Sequence, residues 1–114
     1  MVSVILDFID LHLTDADLSP KTIARAHHIS VRYLHRLFKE GGTTVGRWIQ
    51  HRRLEGCRRA LTFRRWENVT IGAVANRWGF QSAAHFSRVF RAAYGMSPQE
   101  WRETVGHGCQ PIRG

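Results

Sequence analysis

Residues 79–91 read Gly79-Phe80-Gln81-Ser82-Ala83-Ala84-His85-Phe86-Ser87-Arg88-Val89-Phe90-Arg91. Gly79 is placed to stop one helix and Ser82 to cap the next. The hexapeptide Phe86 to Arg91 repeats an earlier one, Leu34-His35-Arg36-Leu37-Phe38-Lys39. Both have a capping Ser four residues upstream, Ser30 and Ser82. Both run on into a glycine and a capped helix that holds a tryptophan, Gly42 to Trp48 and Gly95 to Trp101. Upstream, Ile23-Ala24 aligns with Val74-Ala75, and the second copy has one extra residue in its turn. A short helix, a tight turn and a second helix, occurring twice, is the signature of two helix-turn-helix units.

The face opposite the apolar stripe points to a ligand. In the first unit Arg32, His35, Arg36 and Lys39 recur at i, i+3, i+4 and i+7, which puts them on one side of a helix. Ala84, Ser87, Arg88 and Arg91 hold the same places in the second unit. A helix anchored by apolar residues on one side and lined with Arg, His and Lys on the other can offer donors to base edges.

Working outward, hydrophobic spacing and cap signals predict seven helices and no strand, an all-α fold. The first spans Val2 to Leu13, with Val2, Ile5, Leu6, Ile9 and Leu13 as its stripe. The second starts after Ser19, with Pro20 at the first position, and ends near Ala26. The third runs from Ser30 to Glu40, with Val31, Leu34, Leu37 and Phe38 as its apolar face. The fourth runs from Thr44 to Leu61, on the order of 27 Å. Its early residues Val45, Trp48 and Ile49 and its later Leu54, Cys57 and Leu61 lie on nearly opposite sides, so it serves two bodies. The fifth spans Thr70 to Trp78 and the sixth Ser82 to Tyr94. The seventh opens on a Ser97–Glu100 capping box.

The expected domains are a first helix-turn-helix subdomain at 1–43, a linker helix at 44–61, a second subdomain at 62–106 and a flexible tail at 107–114. A linker of this length approaches one DNA turn, about 34 Å, so the two readers would enter successive major grooves on one side of a duplex.

Composition narrows the function classes. Seventeen Lys plus Arg against nine Asp plus Glu leave a formal net charge of +8 in 114 residues. Most of the cations are Arg, whose planar fork suits phosphate and guanine. Cys57 and Cys109 form no CxxC pair, and the seven His lack ligand spacing, so neither a metal site nor a cofactor is expected. Ser30, Ser82 and Ser97 are explained as caps and Cys57 as core, and no carboxylate pair suits acid–base work. These residues predict no catalytic role. No apolar run reaches membrane-span length and no signal peptide precedes the first helix; the reading is a cytoplasmic, nucleoid-associated protein.

The repeat, the Arg52-Arg53-Leu54-Glu55 segment, the Gly79 to Arg91 run and Gly95-Met96-Ser97-Pro98 together resemble the AraC/XylS family of bacterial transcription regulators. The resemblance covers about residues 2 to 105. The first turn departs from the family pattern, with His28 where a glycine usually stands, so this turn calls for a left-handed non-glycine residue. The resemblance implies that the third and sixth helices read the major groove. Carried over by position, the base readers are Arg32, His35 and Arg36 in the first unit and Ala83, Ala84, Ser87 and Arg88 in the second. Phosphate contacts fall to Ser30, Lys39, Arg47, Gln81, Ser82 and Arg91, helped by helix N-termini. The implied partners are double-stranded DNA and, for an activator, RNA polymerase. Larger members add an effector-sensing or dimerisation domain, so this chain reads as the C-terminal part of a longer regulator, with a stand-alone short member as the alternative.

Two other classes compete. A helical interaction module for an acidic partner would need an exposed apolar groove, whereas the stripes read as buried. An enzyme would need a nucleophile or acid–base pair that the caps and the core leave unassigned. Trp48, Trp78 and Trp101 read as core. Trp66 sits in the connector, and Arg58 and Arg59 are open between lining DNA and solvating the fourth helix.

Overall fold

The computed structural model describes residues 1–63 and 67–106. Trp66, Cys109 and the tail at 107–114 lie outside the described residues. The helices are α1 Val2–Leu11, α2 Pro20–Ala26, α3 Val31–Glu40, α4 Val45–Thr62, α5 Ile71–Arg77, α6 Ala83–Tyr94 and α7 Pro98–Trp101, the last continuing into a π-helical turn at Arg102–Gly106. No strand occurs among the described residues, so the all-α reading holds.

The caps explain most of the boundaries. Ser19, Ser30, Thr70, Ser82 and Ser97 each accept the N–H three residues on, from Thr22, Tyr33, Ala73, His85 and Glu100. Each such cap contributes about 1 kcal/mol by satisfying an otherwise orphan amide. Thr44 caps α4 in the same way, its Oγ1 accepting from the Arg47 N–H at 3.1 Å, so the helix proper begins one residue later than expected. The helix α1 ends at Leu11 and not Leu13. The His12 ring Nδ1 lies 2.8 Å from the Phe8 carbonyl, and the turn that follows is held by the Asp17 N–H donating to Asp15 Oδ1.

The chain divides into two compact units within α4, one from Met1 to Arg53 and one from Leu54 onward. In the first, α1 packs on α2 and α2 on α3. Its core is Ile5, Ile9, Leu13, Leu18, Ile23, Ala24, Leu34, Phe38, Val45 and Ile49. Arg53 ties the end of α4 in this unit to the loop after α1, donating to the carbonyls of Leu13 and Asp15 at 3.0 and 2.8 Å. Arg52 pairs with Asp10 of α1 at 3.0 Å. Two apolar expectations fail here, since Val2 on α1 and Val31 on α3 are exposed. Val4 and Leu11, outside the expected stripe, also stand 57% and 80% exposed on α1. The core of α3 is supplied by Leu34 and Phe38, which lie one turn apart on a single row.

In the second unit, Leu54, Cys57, Ala60 and Leu61 of α4 meet Val74, Ala75, Phe80, Phe86 and Phe90. The aromatic rings form a ladder, Phe80 to Phe86 at 5.0 Å, Phe86 to Phe90 at 5.6 Å and Phe90 to Trp101 at 5.9 Å between centroids. Trp101 also donates its indole N–H to Thr62 Oγ1 at 3.1 Å. Trp78 lies against Gly56 so closely that a Cβ there would come within 2.6 Å of the ring. Burial pushes the Cys57 thiol up to about 12, which keeps it neutral and unreactive. Tyr94, at the end of α6, donates its hydroxyl to Glu55 Oε2 on α4, and Glu55 also holds Arg58 at 3.0 Å.

Candidate nucleic-acid interface

Each unit presents its exposed helix through the same backbone turn. After α2, the His28 N–H donates to the Arg25 carbonyl at 3.2 Å and the Ile29 N–H reaches back to Ala24 at 3.0 Å. After α5, Gly79 donates to Asn76 at 3.1 Å and Phe80 to Ala75 at 2.9 Å. This paired closure satisfies the last carbonyls of the first helix and needs a left-handed residue just past it. That residue is His28 in the first unit, with φ of 56°, and Gly79 in the second, with φ of 94°. His28 is the sole non-glycine residue with positive φ among those described. The extra residue of the second turn is Gln81, which falls between Phe80 and the Ser82 cap and is exposed.

Beyond the turn, α3 buries Leu34 and Phe38, and α6 buries Phe86 and Phe90. The opposite faces carry the expected side chains. Arg32, His35, Arg36 and Lys39 are exposed on α3, as are Ala83, Ala84, Arg88 and Arg91 on α6. Ser87 is half-buried, at the edge of its stripe. Arg32, Arg36, Lys39 and Arg88 form no ion pair among the described residues, which leaves their donors facing solvent. Arg91 lies 3.8 Å from Glu100, with both side chains more than half exposed. Such a pair is worth little in water, so Arg91 can exchange its carboxylate for another anion.

Ser30 and Ser82 use their Oγ lone pairs as helix caps, and each hydroxyl hydrogen remains a donor. Arg47 is exposed in the first turn of α4. Glu100 is held below the usual carboxylate range, chiefly by the Ser97 backbone N–H and then its side chain. Of the two arginines left open by sequence, Arg58 is committed to Glu55 and Arg59 is exposed.

Charge is unevenly spread. Residues 1–18 contain four Asp and no Lys or Arg, so all 17 Lys plus Arg lie in the remainder, against only five Glu there, a local excess of +12. The sequence reading missed three structural residues. Arg53 and Gly56 act through partners distant in the chain, and no local pattern flags them. Val31 fits an apolar period yet lies outside the core, and only its alignment with Ala83 could have signalled that. No group of three metal-ligating side chains occurs among the described residues. None of their helices is long and apolar enough to cross a membrane.

Comparison with known proteins follows this geometry. The transcriptional activator NphR of Rhodococcus sp is 38% identical over 95 residues, covering 83% of this chain and 28% of that protein. The chain spans about a third of the length of the curated relatives it matches. A crystal structure of a transcriptional regulator with an AraC-type DNA-binding domain, from Chromobacterium violaceum, superposes with a TM-score of 0.81 at 28% identity, covering 94% of this chain and 90% of that one. The DNA-binding domain of AdpA, a global transcriptional factor solved in complex with a target DNA, shares the fold with a TM-score of 0.82 at 23% identity, over 98% and 96% of the two chains. The helix-turn-helix domain family matches residues 23–104. With its duplicated turn and its two capped, Arg-bearing helices, the chain belongs to the AraC-type helix-turn-helix domains, a family of DNA-binding transcription regulators and not of enzymes.

Proposed function

We propose that this chain binds double-stranded DNA in a sequence-specific manner, with α3 and α6 as the major-groove helices, and that it activates transcription. One observation carries the reading. Two helices at matching positions of a repeat are each anchored by buried apolar residues, while the face turned outward bears unpaired Arg and Lys. In this reading Arg32, His35, Arg36, Ala83, Ala84, Ser87 and Arg88 meet base edges. Ser30, Lys39, Arg47, Gln81, Ser82 and Arg91 meet phosphates and set the register. The helix α4 connects the two units. The name of the relative NphR, a transcriptional activator, supports activation, for which RNA polymerase would be the protein partner. The exposed Val4 and Leu11 on the Asp-bearing α1 offer an apolar surface for a protein contact.

The test is selection of binding sites from random duplexes, followed by affinity measurements across salt. The expected result is an enriched motif whose log affinity falls steeply with log salt as counterions leave the phosphates. Failure to enrich any motif at low salt would reject sequence-specific binding. Equal affinity of Arg36→Ala, Arg88→Ala and parent for the selected site would reject the readers.

A further inference from the structure

We propose that Val31 reads a base edge, contacting the methyl group of a thymine; this rests on α3 being a major-groove helix. Three observations converge on it. First, Val31 is the residue immediately after the Ser30 cap, as Ala83 is after Ser82. The two therefore hold one position in the repeat, and both are exposed. Second, Val31 is not among the buried residues that form the core of the first unit. The helix α3 is anchored by Leu34 and Phe38, while Val31 keeps 36% of its surface open. Third, Val31 lies one turn before His35, beside the stripe that Arg32 and Arg36 complete, so it stands at the N-terminal end of the reading face. In helix-turn-helix proteins that end of the second helix is the part that reaches base edges.

The chemistry then narrows the ligand. Val31 has neither donor nor acceptor, so a base can reward it only through apolar contact. The single apolar feature in the major groove is the C5-methyl group of thymine. Branching at Cβ restricts the side chain to few rotamers, so little freedom is lost on contact. Ala83, with one methyl, reaches less far in the second unit.

The experiment uses the full chain and the duplex returned by site selection. Each thymine of the half-site bound by the first unit is replaced in turn by deoxyuridine, which lacks only the methyl group. Affinities are measured for the parent and for Val31→Ala, whose fold is retained because Val31 lies outside the core. At one thymine the parent should lose about fourfold in affinity, the value of one buried methyl-sized group, and Val31→Ala should be indifferent to that same replacement. The proposal is overturned if that half-site contains no thymine, or if every replacement affects parent and variant equally. A parent that selects no motif at all overturns the DNA-reading function itself, a different result from either of these.

Discussion

The two helix-turn-helix units close the same turn with different residues. Gly79 enters the left-handed region freely, whereas His28 does so against the clash of its Cβ with the backbone. The hydrogen bonds around the two positions are nevertheless the same, within 0.1 Å for each matching pair. The first unit thus accepts local strain that the second avoids, and its packing of Ile23, Ala24 and Leu34 holds the turn closed. The reading faces differ in the opposite sense. The helix α3 carries Arg32, His35 and Arg36, while the matching positions of α6 are Ala84, Ser87 and Arg88. The strained unit is also the one richer in hydrogen-bond donors. What the pair teaches is that the turn is set by the tertiary frame, and the side chains placed on that frame are free to diverge.

The sharpest way to break the comparison is to remove readers. Arg36→Ala and Arg88→Ala should each cost about 1–3 kcal/mol at a selected site. Repeating the selection with each variant should relax one half-site apiece. The half-site of the first unit should be the more tightly defined in the parent, and equal definition of the two would remove the asymmetry of readout.

Next comes packing. Gly56→Ala should destabilise the second unit by about 1–3 kcal/mol, because the added methyl overlaps the Trp78 ring. Hydrogen exchange should show protection lost in α5 and α6 while α2 and α3 keep theirs. Uniform loss across both units would mean that they unfold as one cooperative body.

The turns themselves give a smaller, signed effect. His28→Gly should stabilise the chain by about 1 kcal/mol and Gly79→His should destabilise it by a similar amount, both read from urea melts. If His28→Gly lowered stability, the imidazole would be contributing a contact that outweighs the backbone cost.

A further effect is alkaline. The Cys57 thiol is raised from 9.0 to about 12 by burial, so folding favours its neutral form. Its contribution is complete below the ordinary thiol range and is lost as pH climbs from about 9 toward 12. Urea melts at pH 8 and pH 10.5 should therefore differ more for the parent than for Cys57→Ala. The first unit has no cysteine and should be indifferent to that substitution.

Much of this architecture was legible from local chemistry. Ser19, Ser30, Ser82 and Ser97 marked helix starts because only a short polar side chain can reach back to the third amide. His28 was identifiable as a candidate left-handed residue from the resemblance, because it stands where the family usually has a glycine. Val31 was not legible. Its spacing from Leu34 and Phe38 suits a buried stripe, and nothing within α3 reveals that two residues suffice to anchor the helix. The same holds for Val2 on α1, whose spacing from Ile5 and Ile9 suits a stripe that the core does not use to its end.

The sequence by itself determined the repeated unit, the caps, the sign of the charge and the residues turned outward on α3 and α6. These follow from helical period and from side chains acting within a few residues of themselves. Only the tertiary structure decided which apolar residues are used, that Gly56 must stay bare beneath Trp78, and that Arg53 binds the loop after α1 at Leu13 and Asp15. Those outcomes depend on surfaces brought together from distant parts of the chain, where a contact exists only once both partners have a fixed place.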